Sequence, residues 1–139
     1  MEQEDYIKRQ IDQLGRILGK ILTDLLGLKT GGLAGEGIEA AGRALKSELD
    51  MDIDDLVSVP ADELIKVLQT RRNMNTDNFE KLADILLLLA GDFENKMTFN
   101  PGKLKLYERS LAILRHVDET SSTYSFDRHE KIRKIIKMF

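Results

Sequence analysis

Apolar residues recur at alternating intervals of four and three along the opening of the chain: Ile7, Ile11, Leu14, Leu18, Ile21 and Leu25. That period puts them on one side of a helix running from Glu4 to Leu26. Ile17, Leu22 and Leu26 widen the stripe beyond a narrow coiled-coil seam, so the pattern fits a helix laid against a globular body. A second copy of the same helix is the alternative partner, which would make a homodimer. Gly15 and Gly19 lie one turn apart and invite close approach of a second helix, although each lowers helix propensity by about 1 kcal/mol.

The pattern breaks at Leu28–Gly37, LKTGGLAGEG, and resumes in a helix at Ile38–Leu49 with Ile38, Ala41, Leu45 and Leu49 on one side. The four glycines between do not make a phosphate loop, because no Gly-Lys-Ser/Thr follows them at the required spacing. They read as a linker. A short helical turn is expected at Ile53–Val57, capped by the surrounding aspartates. A further helix is expected at Ala61–Thr70, opened by Pro60 and the acids Asp62 and Glu63. Asp50, Asp52 and Asp54 alternate like the start of a calcium loop. The sixth and twelfth places hold Asp55 and Ala61, where that motif needs Gly and Glu, and so no metal is expected.

The most apolar stretch is Phe79–Phe93, FEKLADILLLLAGDF, and it should be buried on more than one side. After a turn-rich connection, Lys103–Val117 is amphipathic, with Leu104, Tyr107, Leu111 and Leu114 on its apolar side. The two read as an antiparallel helix pair around which the rest is arranged. A polar segment, DETSSTYS, then leads to a last helix capped by Ser125, with Phe126, Ile132, Ile135, Ile136 and Phe139 expected on one face. No alternating strand pattern occurs, so the fold class is all-α. We expect a single helical domain over 1–139, with an amphipathic helix over 1–30, a glycine-rich linker over 31–37 and a helical body over 38–139 holding the pair at 77–117.

The central pair resembles a tetratricopeptide repeat. Phe79, Leu82, Ala83 and Leu86 stand where that family carries its bulky, Leu, small and bulky residues. Gly91, Asp92 and Phe93 resemble its turn, and Tyr107, Ser110 and Leu111 match its second helix. The connection is longer than the family's, Lys103 stands where a small residue is usual, and no Pro follows the second helix. The resemblance implies a right-handed array of helix hairpins that binds proteins or peptides. The chain as a whole is similar, more loosely, to small bacterial helical proteins that open with an EDYI-type amphipathic helix.

Charge changes this picture only locally. Residues 31–70 hold nine acidic and three basic groups, whereas residues 101–139 hold five acidic and nine basic. Such a chain can pair with itself on folding, or its last helix can face an anionic partner. Arg128, Lys131 and Lys134, with Arg133 and Lys137, are the candidate contacts. Nucleic acid is disfavoured by the net charge of −3 and by the sparseness of aromatic residues for base stacking.

With no cysteine, thiolate chemistry and disulfides are excluded. His116 and His129 have no third ligand at helical spacing. No catalytic, cofactor or metal residues are expected. The acidic start, MEQED, does not read as a signal peptide, no stretch is long and apolar enough to span a membrane, and the cytoplasm is the default compartment. The expected function is a non-enzymatic protein–protein interaction or scaffold module whose partner is an unidentified protein or peptide. The candidate contacts are the stripe Ile7, Ile11, Leu14, Leu18, Ile21 and Leu25 and the cations Arg128, Lys131 and Lys134. The alternatives are an anionic or nucleic-acid partner on the basic helix, or an enzyme whose carboxylates are scattered along the chain.

Overall fold

The computed structural model describes residues 2–30, 34–91 and 101–139, and among these it is entirely helical, without strands. Seven helices follow in order: α1 (Glu2–Thr30), α2 (Ala34–Leu49), α3 (Ile53–Ser58), α4 (Ala61–Arg72), α5 (Thr76–Ala90), α6 (Pro101–Thr120) and α7 (Phe126–Ile136). Helix α2 starts at Ala34, so the second half of the stretch expected as a linker is helical. Residues 31–33 lie outside the described residues, as do Asp92 and Phe93 of the expected turn.

Helix α5 sits at the centre because it is apolar nearly all round. Phe79, Leu82, Ala83, Ile85, Leu86, Leu87, Leu89 and Ala90 are all buried. It packs most extensively on α6 and next on α1, while α2 packs on α1, and α3, α4 and α7 pack on α6. Polar and aromatic contacts help to join α5 to α6. Ser110 Oγ donates to the Ala83 carbonyl at 3.0 Å, Tyr107 Oη donates to the Gly91 carbonyl at 3.0 Å, and the Phe79 ring meets His116 edge-on at 5.1 Å. Ser110 and Tyr107 are fully enclosed, so each buried hydroxyl has its partner. The small Ala83 and Ser110 let the backbones come this close.

The buried side of α6 is broader than the expected one. Leu106, Ile113 and Val117 join Tyr107 and Leu114 inside, and Leu104 and Leu111 are only half-buried. Arg109 also lies in this buried strip, between Leu106 and Ile113. Its Nε and Nη2 both donate to the Val59 carbonyl, at 3.2 and 2.9 Å. One guanidinium thereby satisfies the exposed carbonyl end of α3 and ties the α3–α4 junction to α6.

Local signals set the helix ends. Asp52 accepts from the Asp55 amide at 2.9 Å while Asp55 accepts from the Asp52 amide at 3.1 Å, a reciprocal box that starts α3. The Asp52 backbone hydrogen bond is the main reason that the Asp55 carboxyl titrates below its ordinary value, with Lys46 helping. Asn75 caps α5, which starts at Thr76, by accepting from the Asn78 amide at 2.8 Å. Gly91 ends that helix at a φ of 96°, where a Cβ would be strained and would also press on the Lys103 side chain.

Candidate interaction surface

The two candidate surfaces begin at opposite ends of the chain and fare differently. On α1, Leu14, Leu18, Ile21 and Leu25 are buried in the protein's own core. Ile11 is half-buried and Ile7 is 40% exposed, beside Tyr6 at 63%. Four of the six stripe residues are therefore already covered by this chain, and only the first turns of the stripe continue into solvent. Helix α1 approaches α5 at Gly15. The Asn78 side-chain amide donates to the Ile11 carbonyl at 3.2 Å, and Lys81 Nζ donates to the Gly15 carbonyl at 3.2 Å. A Cβ on Gly15 would lie 2.9 Å from Asn78 Oδ1, whereas one on Gly19 would meet nothing within 4 Å. Only the first of the two glycines is a packing requirement.

Helix α7 corrects the expected arrangement. Ile135 is fully buried, Ile132 is half-buried, and the other members of their stripe are Arg128 and Lys131 rather than Phe126 or Ile136. Positions 128, 131, 132 and 135 share one side of a helix, and Phe126, His129, Arg133 and Ile136 share the opposite side. The cause is the charge on the seat. Arg128, only 3% exposed, donates from Nε and Nη2 to Asp118 Oδ1 on α6 at 3.2 Å. It also donates to the Thr123 carbonyl at 3.0 Å and pairs with Glu80 on α5 at 3.5 Å. Lys131 Nζ lies 2.7 Å from Asp84 on α5 and 2.8 Å from Asp127 one turn back. Burial alone would lower the Lys131 pKa, but the hydrogen bonds to Asp127 and Asp84 outweigh it and hold the pKa above its ordinary value.

Arg128 and Lys131, offered from sequence as contacts for an anionic partner, are thus committed to the protein's own carboxylates. Lys134 stays exposed, and Arg133 pairs with Glu130. These carboxylates are not those of the acidic middle of the chain, whose Asp50 and Asp55 pair instead with Lys46 and Arg71 nearby.

With two cations occupying its inner side, α7 leaves its large apolar groups outside. Phe126 is 69% exposed, Phe139 is 65% and Ile136 is 46%, next to Tyr124 at 73%. Tyr124 lies over the His129 ring at 4.7 Å, and His129 Nε2 lies 3.0 Å from Asp118 Oδ1. The last helix and the residues just beyond its ends thus carry four exposed large apolar side chains, in the same stretch as the exposed cations Arg133, Lys134 and Lys137. Sequence periodicity missed this exposure because it weighed apolar residues alone and did not count Arg128 and Lys131 as inward-facing. The readable signal was the spacing of Arg128, Lys131, Ile132 and Ile135, which together make one helical stripe.

An open cleft of about 580 Å³ lies between α2 and α3, lined by Glu39, Gly42, Arg43, Lys46, Asp52, Ile53 and Asp54. Both signs of charge line it, and Asp52 is engaged in the α3 cap. Among the described residues no group of three or more His, Asp or Glu side chains is placed to hold a metal ion, and no helix is long and apolar enough to cross a membrane. Comparison with protein-family models, with curated proteins and with solved structures finds no match to this chain.

Proposed function

We propose that the protein is a helical interaction or scaffold module that binds a protein or peptide partner along its C-terminal end. The observation that carries this reading is the exposure of Phe126 and Ile136 on α7, and of Tyr124 and Phe139 just beyond its ends, on a helix whose other side is already docked. Exposed apolar groups that cluster, rather than scatter singly, mark surfaces that meet another molecule. The α5–α6 contacts favour an antiparallel hairpin of the tetratricopeptide kind. Going up α6 from Tyr107 through Ser110 to His116, the partners on the other helix run down from Gly91 through Ala83 to Phe79. In that reading α7 is the first helix of a following hairpin, and the partner supplies the helix that would cover its outer side.

A photo-cross-linking residue at position 126, with a control at the exposed position 62 on α4, tests the proposal in cells of the native host. A discrete protein adduct from position 126 and none from position 62 is the expected result. Adducts to nucleic acid alone, or none from either position, would reject the reading and bring forward the anionic-partner alternative, for which the accessible cations are Lys134, Arg133 and Lys137.

A further inference from the structure

A terminal helix ordinarily docks by burying an apolar stripe, yet half of the α7 stripe is cationic. Its seat explains why. Glu80 and Asp84 stand one turn apart on α5 and Asp118 lies on α6, so the seat presents three carboxylates to Arg128 and Lys131, while Ile135 of the same helix is buried in the core. Without α7 those carboxylates would lose Arg128 and Lys131 as partners. Such a seat has a definite complement: a helix with Arg at one position, Lys three residues on, and Ile four and seven residues on. The Arg must be Arg, because its planar guanidinium reaches Asp118 on α6 and Glu80 on α5 together, which a point-charge ammonium does less well. The helix that fills the seat is joined to α6 by only the five non-helical residues Ser121–Ser125.

We propose that this seat is itself a docking groove for a basic amphipathic helix of a partner carrying Arg-x-x-Lys-Ile-x-x-Ile, and that α7 is a built-in competitor that occupies it in the unpartnered protein. The proposal goes beyond the outer-surface reading above and rests only on its premise that the protein binds other proteins. A tethered helix competes at an effective concentration on the order of millimolar, so an untethered helix of equal intrinsic affinity is largely shut out. Weakening the resident helix opens the groove to the same sequence offered in trans.

The probe is a fluorescein-labelled synthetic peptide of residues 124–139, titrated by anisotropy into the full chain. Two variants weaken α7 without touching the seat, Arg128→Ala and Lys131→Met, and helicity by circular dichroism establishes that at least one is folded. The folded variants should bind the peptide at least tenfold more tightly than the wild-type chain does. Adding Asp84→Lys to the same variant should remove that gain, as should Arg128→Ala in the peptide. Equal affinity for wild type and folded variants, or no binding to any folded variant, overturns the proposal. If position 126 still captures a protein while the peptide is not bound, only the groove is rejected and the interaction reading stands.

Discussion

Single side chains decide how the outlying helices attach, and most of those side chains are charged. Arg109 and Arg128 are both more than nine-tenths buried, an uncommon placement that holds only when every donor has a partner. Each meets this condition differently. Arg109 serves a helix-end carbonyl, and Arg128 serves carboxylates from two helices. Lys131 is the partner with a pH signature. Its pKa is raised in the folded state above the ordinary 10.5, so the protonated form is favoured by folding. The stability that it contributes is complete below the unfolded pKa and disappears as pH rises through the folded one. Thermal melts of wild type and Lys131→Met should therefore differ at pH 8, with wild type more stable, and the difference should shrink as pH rises beyond 10.5 and through the folded-state pKa. A gap that is constant across that range would mean that the ammonium charge contributes nothing.

At the scale of whole elements, much of the architecture was legible because the period of apolar residues forces it. The long α1, the central α5 and the capped starts of α3 and α7 all follow from spacing and from Asp52 or Ser125 chemistry. Three features were not legible, each for a physical reason. Helix α2 begins at Ala34 because nothing in a glycine-rich stretch forbids helix; glycine only weakens it. The buried strip of α6 was misjudged because Arg109 interrupts it. The orientation of α7 was misjudged because its apolar content is split between two sides, and the carboxylates of α5 and α6, far away in sequence, choose which side is in. The candidate surface was accordingly visible as a basic amphipathic helix but assigned the wrong outward face.

Two glycines of α1 test the packing at this scale. Both should gain about 1 kcal/mol of helix propensity on change to alanine. At Gly19 the space is open, so Gly19→Ala should stabilise the protein by about that amount. At Gly15 the new methyl meets Asn78 Oδ1, whose amide is held to the Ile11 carbonyl. The gain should be cancelled or reversed as that hydrogen bond is displaced. Urea unfolding of the two variants separates the cases, and equal stabilisation of both would show that α1 does not rest on α5 through Gly15.

For the molecule as a whole, the structure divides into a well-buried centre and a charge-docked end. Helices α5 and α6 share buried aromatic, aliphatic and hydroxyl contacts that water and salt do not reach. Helix α7 is held by one enclosed isoleucine, two half-buried neighbours and a set of ion pairs, several of them partly exposed. Exposed and partly exposed pairs weaken as salt screens them, over a distance of about 10 Å at 0.1 M and about 3 Å at 1 M. An apolar contact does not weaken in this way. The exposed apolar groups that we propose as a partner surface and the groove that we propose beneath α7 both depend on this division.

Native-state hydrogen exchange, followed residue by residue at 0.05 M and 0.5 M sodium chloride, distinguishes the two parts. Amides of α5 between Leu82 and Ala90, and of α6 between Ser110 and Val117, should exchange only through global unfolding and be insensitive to salt beyond its effect on overall stability. Amides of α7 between Ile132 and Ile136 should exchange faster than these, through an opening that becomes more frequent at the higher salt. Protection of α7 equal to that of α5 at both salt concentrations would contradict the account, because α7 would then be part of the cooperative core rather than a helix held to it by charge.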